Sequence, residues 1–82
     1  MNATIAKGFL EELPIKNNWH RAEMSSAVRA CFSEWREFDH RNINEIMAAN
    51  YRESSAKDAE FQEIYARQDA ELKAFLTLKA GL

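Results

Sequence analysis

Glu37 and His40 have the spacing with which one helix can present a carboxylate and an imidazole to a metal ion. Carboxylate-bridged iron proteins use this Glu-x-x-His spacing twice and add two glutamates from facing helices. Here the spacing occurs once, and both residues point away from the apolar stripe of the predicted helix. We therefore expect solvated helix surface at this position, with neither a metal site nor another cofactor.

The residues needed for nucleophilic catalysis are also scarce. A hydrolase triad needs a histidine base, and the chain contains only His20 and His40. Phosphate-binding and dinucleotide-binding loops need closely spaced glycines, whereas Gly8 and Gly81 are far apart and are the only two. Cys31 stands between apolar neighbours, which indicates a buried thiol used for packing. The sequence predicts a protein that is not an enzyme.

Charged residues are segregated around the longest predicted helix. At 100° per residue the basic side chains gather on one flank and the acidic ones on the other. The basic flank contains Arg21, Arg29, Arg36 and His40, and the acidic flank contains Glu23, Glu34 and Glu37. Because guanidinium groups match carboxylates and phosphates, the basic flank predicts a partner-binding surface. The alternative is that both flanks pair locally with neighbouring helices or with a second copy of the chain.

Trp19 lies off the apolar stripe of the same helix, on the far side from Trp35. It can fold back onto Phe9, Leu13 and Ile15, as a purely structural residue. Left exposed, it would be a good anchor for a partner, since tryptophan and arginine are enriched among the residues that dominate binding energy.

Helix breakers are almost absent from the chain. Pro14 is the only proline, residues 15–80 contain neither glycine nor proline, and no turn dipeptide typical of β-hairpins occurs. The pattern predicts an all-α protein with helices at 4–12, 19–39, 43–53 and 56–79. A continuous helix over 43–79, through Ser54 and Ser55, is the alternative to the last two. Asn17 or Asn18 should cap the second helix, Asn42 with Glu45 should begin the third, and Gly81 should end the last.

Apolar periodicity predicts which side of each helix is buried. The second helix carries Met24, Val28, Cys31, Trp35 and Phe38, with Phe32 beside them, and the third carries Ile43, Ile46 and Met47. Acid–base pairs four residues apart indicate solvated surface and are predicted to pair within one helix. They are Glu37 with Arg41, Glu53 with Lys57, Glu63 with Arg67 and Asp69 with Lys73.

The length of 82 residues, without a repeat or a linker, predicts one domain at 1–82 that folds as a three- to four-helix bundle. Asn50 and Gln68 fall inside apolar stripes, and polar residues at such positions often fix the oligomeric state of helical assemblies. A homodimer that completes the small core is therefore one expectation. The other is that each amide lies at a bundle edge with water.

The expected function is that of a non-enzymatic module, a small adaptor or inhibitor that covers a surface of a larger protein, as phage and plasmid accessory proteins do. Its expected site comprises Arg21, Arg29, Arg36, Trp19 and His40. The alternative is a nucleic-acid-binding protein that uses the arginines. A net charge of −2 and the absence of a glycine-bearing helix-turn-helix make that alternative less favoured. Without an apolar run that could be a signal or a membrane span, we expect a cytoplasmic protein and no membrane partner.

Overall fold

A computed structural model describes residues 2–51 and 57–82. Within these ranges the chain forms four helices and no strand: α1 (Asn2–Glu11), α2 (Asn18–Cys31), α3 (Trp35–Tyr51) and α4 (Lys57–Lys79). The all-α prediction is confirmed, as a small helical bundle. In this part of the chain no helix has the length and apolar character needed to cross a membrane.

Three helix ends follow the sequence signals. The side chain of Asn17 accepts a hydrogen bond from the amide of His20 at 2.8 Å and caps α2. Before Pro14, α1 ends at Glu11, because a proline disfavours helical geometry at the residue that precedes it. At the other end of the chain, Gly81 has a φ of 75°, and the amides of Gly81 and Leu82 bond back to Leu78 and Thr77. This is a Schellman motif, which satisfies carbonyl groups at the end of α4.

The prediction of one helix over 19–39 is wrong. The backbone of Phe32 is extended, with φ −130° and ψ 102°, so that α2 ends at Cys31 and α3 begins at Trp35. Phe32 turns into the core and meets Phe75 of α4 edge to face, with ring centroids 5.6 Å apart. Cys31, predicted to be buried, is exposed instead. The gain from burying Phe32 offsets the helical hydrogen bonds lost at the turn.

The predicted start of the third helix at residue 43 is also wrong. Asn42 is not a cap: it lies inside α3 and is buried. With the earlier start, the buried stripe of α3 becomes Trp35, Asp39, Asn42 and Ala49, and Ile43 and Met47 face outward. The predicted boundary between residues 53 and 56 lies outside the described residues.

The core joins all four helices. Its buried members are Ala6, Met24, Val28, Phe32, Trp35, Leu72, Leu76 and Ala80. Helix α1 packs on α2 and α4, and α3 packs on the same two helices. In the described part of the chain no Cα atom of α2 comes within 8 Å of one in α4. Side chains alone therefore bridge α2 and α4.

Three ion pairs among the described residues connect different helices rather than successive turns of one. Arg41 pairs with Glu71, Arg67 with Glu45, and Asp69 with Arg21. Three predicted pairs within one helix do not form among the described residues: Arg41 with Glu37, Arg67 with Glu63, and Asp69 with Lys73. The fourth predicted pair, Glu53 with Lys57, includes a residue outside the described ranges. The prediction failed because helix packing brings oppositely charged side chains from two helices together along their shared edges.

Candidate protein-binding surface and cleft

Helices α2 and α3 form a hairpin that a partly buried hydrogen-bond network holds in place. The hydroxyl of Ser25 donates to one oxygen of Asp39, and Arg29 Nη1 donates to the other at 3.0 Å. Trp35 Nε1 donates to the Ser25 hydroxyl at 3.3 Å. Both oxygens of the buried Asp39 carboxylate are thus occupied, which fixes α3 against α2.

One side of this hairpin exposes large apolar side chains, far from the turn at 32–34. On α3, Ile43, Met47 and Tyr51 follow one stripe at intervals of four residues and are 44%, 50% and 82% exposed. On α2, Trp19 is 74% exposed and lies one turn before Ala22. Ala22 and Ile43 line the same cleft between the helices. Together Trp19, Ile43, Met47 and Tyr51 form the apolar end of what we call the hairpin face.

Closer to the turn, the hairpin face is basic. Arg36 and His40 continue the α3 stripe toward its N-terminus, and both are exposed. Arg29 comes from α2, and its side chain remains 46% exposed although it pairs with Asp39. Within residues 2–51 and 57–82, Arg36 makes no ion pair. The hairpin face therefore combines an apolar end with a cationic end.

Of the five residues predicted for the site, Arg21 alone lies elsewhere. Its guanidinium pairs with both carboxylate oxygens of Asp69 on α4 and lies 4.4 Å from the centroid of the Tyr65 ring. Trp19, Arg29, Arg36 and His40 all border the hairpin face. Sequence reasoning missed Ile43 and Met47, which it assigned to the core because of the misplaced start of α3. Nothing in the sequence pattern indicates that the polar residues Asp39 and Asn42, one turn apart, are buried.

A cleft of about 390 Å³ opens between α2, α3 and α4 beside the hairpin face. Apolar side chains form much of its wall, and the buried polar residues Asp39, Asn42 and Gln68 all border it. Gln68 Nε2 donates to the main-chain oxygen of Asn42 at 3.2 Å. Gln68 is thus satisfied inside the bundle, whereas Asn50, also predicted in an apolar stripe, is exposed.

Glu37 and His40 line a shallow surface depression with Arg36, Arg41 and Asn44. The described residues contain no group of three or more histidine, cysteine, aspartate or glutamate side chains that could hold a metal ion. The depression also contains two arginines, whose positive charge opposes a bound cation.

No protein-family model matches the chain, and neither a curated protein nor a solved structure is significantly similar to it.

Proposed function

We propose that the protein is a non-enzymatic binding module, a small adaptor or inhibitor that covers a surface of a larger protein with its hairpin face. The observation that carries this proposal is the exposure of Ile43, Met47 and Tyr51 along one stripe of α3, with the exposed Trp19 on the neighbouring helix α2. Single exposed apolar residues are ordinary, but a contiguous group of large ones is typical of interaction sites.

The basic end of the hairpin face defines the partner more closely. Arg29, Arg36 and His40 favour a partner with carboxylates next to an apolar patch, because arginine binds carboxylates with both nitrogens of its fork. Such charges act mainly on association rate and specificity, while the apolar end supplies most of the affinity. Arg21 contributes indirectly, by holding α2 against α4.

Affinity capture from the native host with matched variants tests the proposal. Met47→Glu and Arg36→Glu each alter one end of the hairpin face. Leu78→Glu and Lys73→Glu make the same changes on exposed positions of α4. We expect the wild type and the α4 variants to capture the same protein, and the hairpin-face variants to lose it, with far-UV circular dichroism unchanged in all. Equal capture by all variants would contradict the proposal.

A second copy of the chain is one partner that this face could accept. The homodimer is tested by light scattering on a sizing column, where a dimer has twice the 9.5 kDa of one chain. If Met47→Glu halves the mass and Leu78→Glu does not, the hairpin face is the dimer interface.

The nucleic-acid alternative receives less support from the geometry. Arg21 and Arg29 already bind the carboxylates of Asp69 and Asp39, with which phosphate groups would have to compete. Phosphate binding would also show itself as affinity that falls steeply with salt. For the protein-binding module we propose a cytoplasmic location, in line with a single cysteine that has no partner for an intramolecular disulfide.

A further inference from the structure

The cleft between α2, α3 and α4 is large enough to hold a small molecule. Its volume of about 390 Å³ lies within the ~300–1,000 Å³ range of ligand pockets. An apolar cavity of about 150 Å³ is already sufficient for benzene. The cleft exists because α2 and α4 do not approach each other, and Ile46, Leu72 and the Trp35 ring line it. Its size and walls suit a two-ring aromatic molecule.

The charges around the cleft cancel in pairs. Arg21 is neutralised by Asp69 across the cleft, and Arg29 is neutralised by the buried Asp39. A charged ligand would have to break one of these pairs or enter without a counter-ion, and burial of an unpaired charge is costly. The cleft therefore favours a ligand without net charge.

One residue in the wall of the cleft has a side-chain amide that makes no hydrogen bond to a described residue. Asn42 is 7% exposed, and no described residue donates to or accepts from its side-chain amide. Only its main-chain oxygen is engaged, by Gln68. The fully buried side-chain polar atoms without a partner among the described residues are His20 Nε2 and Arg21 Nε, so the Asn42 amide keeps contact with solvent through the cleft. A ligand group that replaces this solvent bonds to the amide inside a partly enclosed cleft, where a hydrogen bond is electrostatically stronger than at the open surface.

We propose that this cleft is a binding site for an uncharged, flat aromatic small molecule that hydrogen-bonds to the side-chain amide of Asn42. The site shares Arg29 and Ile43 with the hairpin face, but its test does not depend on the protein partner. A suitable probe is 2-naphthol, which has two rings and one hydroxyl group and is neutral at pH 7. Its matched control is 2-naphthoate, which has the same rings and a negative charge.

Titration followed by two-dimensional NMR of the ¹⁵N-labelled protein gives the first test. We expect 2-naphthol to shift the Asn42 side-chain amide and the Trp35 indole N–H in a saturable manner. The Trp19 indole N–H, outside the cleft, should stay unchanged, and 2-naphthoate should shift none of the three. If 2-naphthol leaves the Asn42 and Trp35 signals unchanged at millimolar concentration, or if both probes shift them equally, the proposal is wrong.

Variants test the two components of the proposal separately. Ala22→Trp fills the mouth of the cleft and should abolish binding, whereas Ala48→Trp, on exposed α3 surface away from the cleft, should not. Asn42→Leu retains the wall but removes the amide. It should weaken binding of 2-naphthol about three- to tenfold, as expected for one hydrogen bond, and leave binding of naphthalene unchanged. Binding of 2-naphthol that persists fully in both Ala22→Trp and Asn42→Leu would overturn the proposal.

Discussion

Arg21 of α2 and Asp69 of α4 form a two-pronged ion pair between helices whose backbones do not touch. Nη1 lies 2.5 Å from one carboxylate oxygen and Nη2 lies 3.2 Å from the other. The Arg21 side chain is only 18% exposed and covers the Tyr65 ring. The pair thus closes one side of the cleft and supplies a contact that the backbone packing lacks.

Replacing this arginine should destabilise the fold more than breaking an exposed ion pair. For Arg21→Met we expect a loss of about 1–2 kcal/mol, between the ~0.2–1 kcal/mol of surface pairs and the ~3–5 kcal/mol of fully buried ones. The control Arg41→Met breaks the pair with Glu71, in which the arginine side chain is 57% exposed, and should cost less than about 1 kcal/mol. Urea denaturation measures both. Equal losses would show that the pair across the cleft has no special role.

Two adjacent serines on α2 should differ sharply in their contribution to stability. Ser25 donates to Asp39 and accepts from Trp35 Nε1, so that Ser25→Ala leaves two buried groups short of a partner. We expect a loss of about 1–3 kcal/mol for this change. Ser26 is exposed, and Ser26→Ala should remain within about 0.5 kcal/mol of the wild type. Thermal and urea denaturation give the difference. Similar values for the two variants would contradict the network that fixes the hairpin.

The turn between α2 and α3 contains an exposed carboxylate whose titration reports its contact with α4. The hydrogen bond from Lys79 and the bond to the Glu34 amide lower the pKa of Glu34 in the folded protein. A folded pKa below the unfolded one means that this contact stabilises the fold above the unfolded pKa and is lost as the pH falls through the folded pKa. Lys79→Met should return the pKa of Glu34 toward its ordinary value, and Lys73→Met should not. Carboxyl-detected NMR measures the shift, and an unchanged pKa in Lys79→Met would show that the contact is absent in solution.

The helix ends that the sequence predicted depend on local chemistry. The side chain of Asn17 accepts one hydrogen bond, the ring of Pro14 fixes one backbone angle, and Gly81 adopts a left-handed backbone angle. Neighbouring residues determine all three effects. The break after Cys31 is different, because Phe32, Ser33 and Glu34 contain no strong helix breaker. It depends on the burial of Phe32 against Phe75, 43 positions along the chain, which no local pattern reveals.

The same break explains what the sequence could and could not predict about the surface. The apolar pattern predicts that Trp19, Arg29, Arg36 and His40 lie off the buried stripe, and in the structure they border one face. The same pattern predicts Ile43 and Met47 in the core, because apolar residues usually lie inside. Asp39 and Asn42 occupy buried positions of α3 instead. The Asp39 carboxylate accepts hydrogen bonds from Ser25 and Arg29. Periodicity cannot show when a hydrogen-bond network replaces an apolar stripe.

Replacing each of the two glycines by alanine should change the stability of the fold in opposite directions. Gly8 lies inside α1, and a methyl group there would meet no atom within 4 Å, so Gly8→Ala should stabilise the protein by about 0.5–1 kcal/mol through helix propensity. Gly81 has a φ of 75° at the end of α4, where an L side chain is strained, and Gly81→Ala should cost about 1 kcal/mol. Thermal denaturation should therefore show a higher Tm for the first variant and a lower one for the second. Shifts of the same sign would contradict either the helical position of Gly8 or the left-handed turn at Gly81.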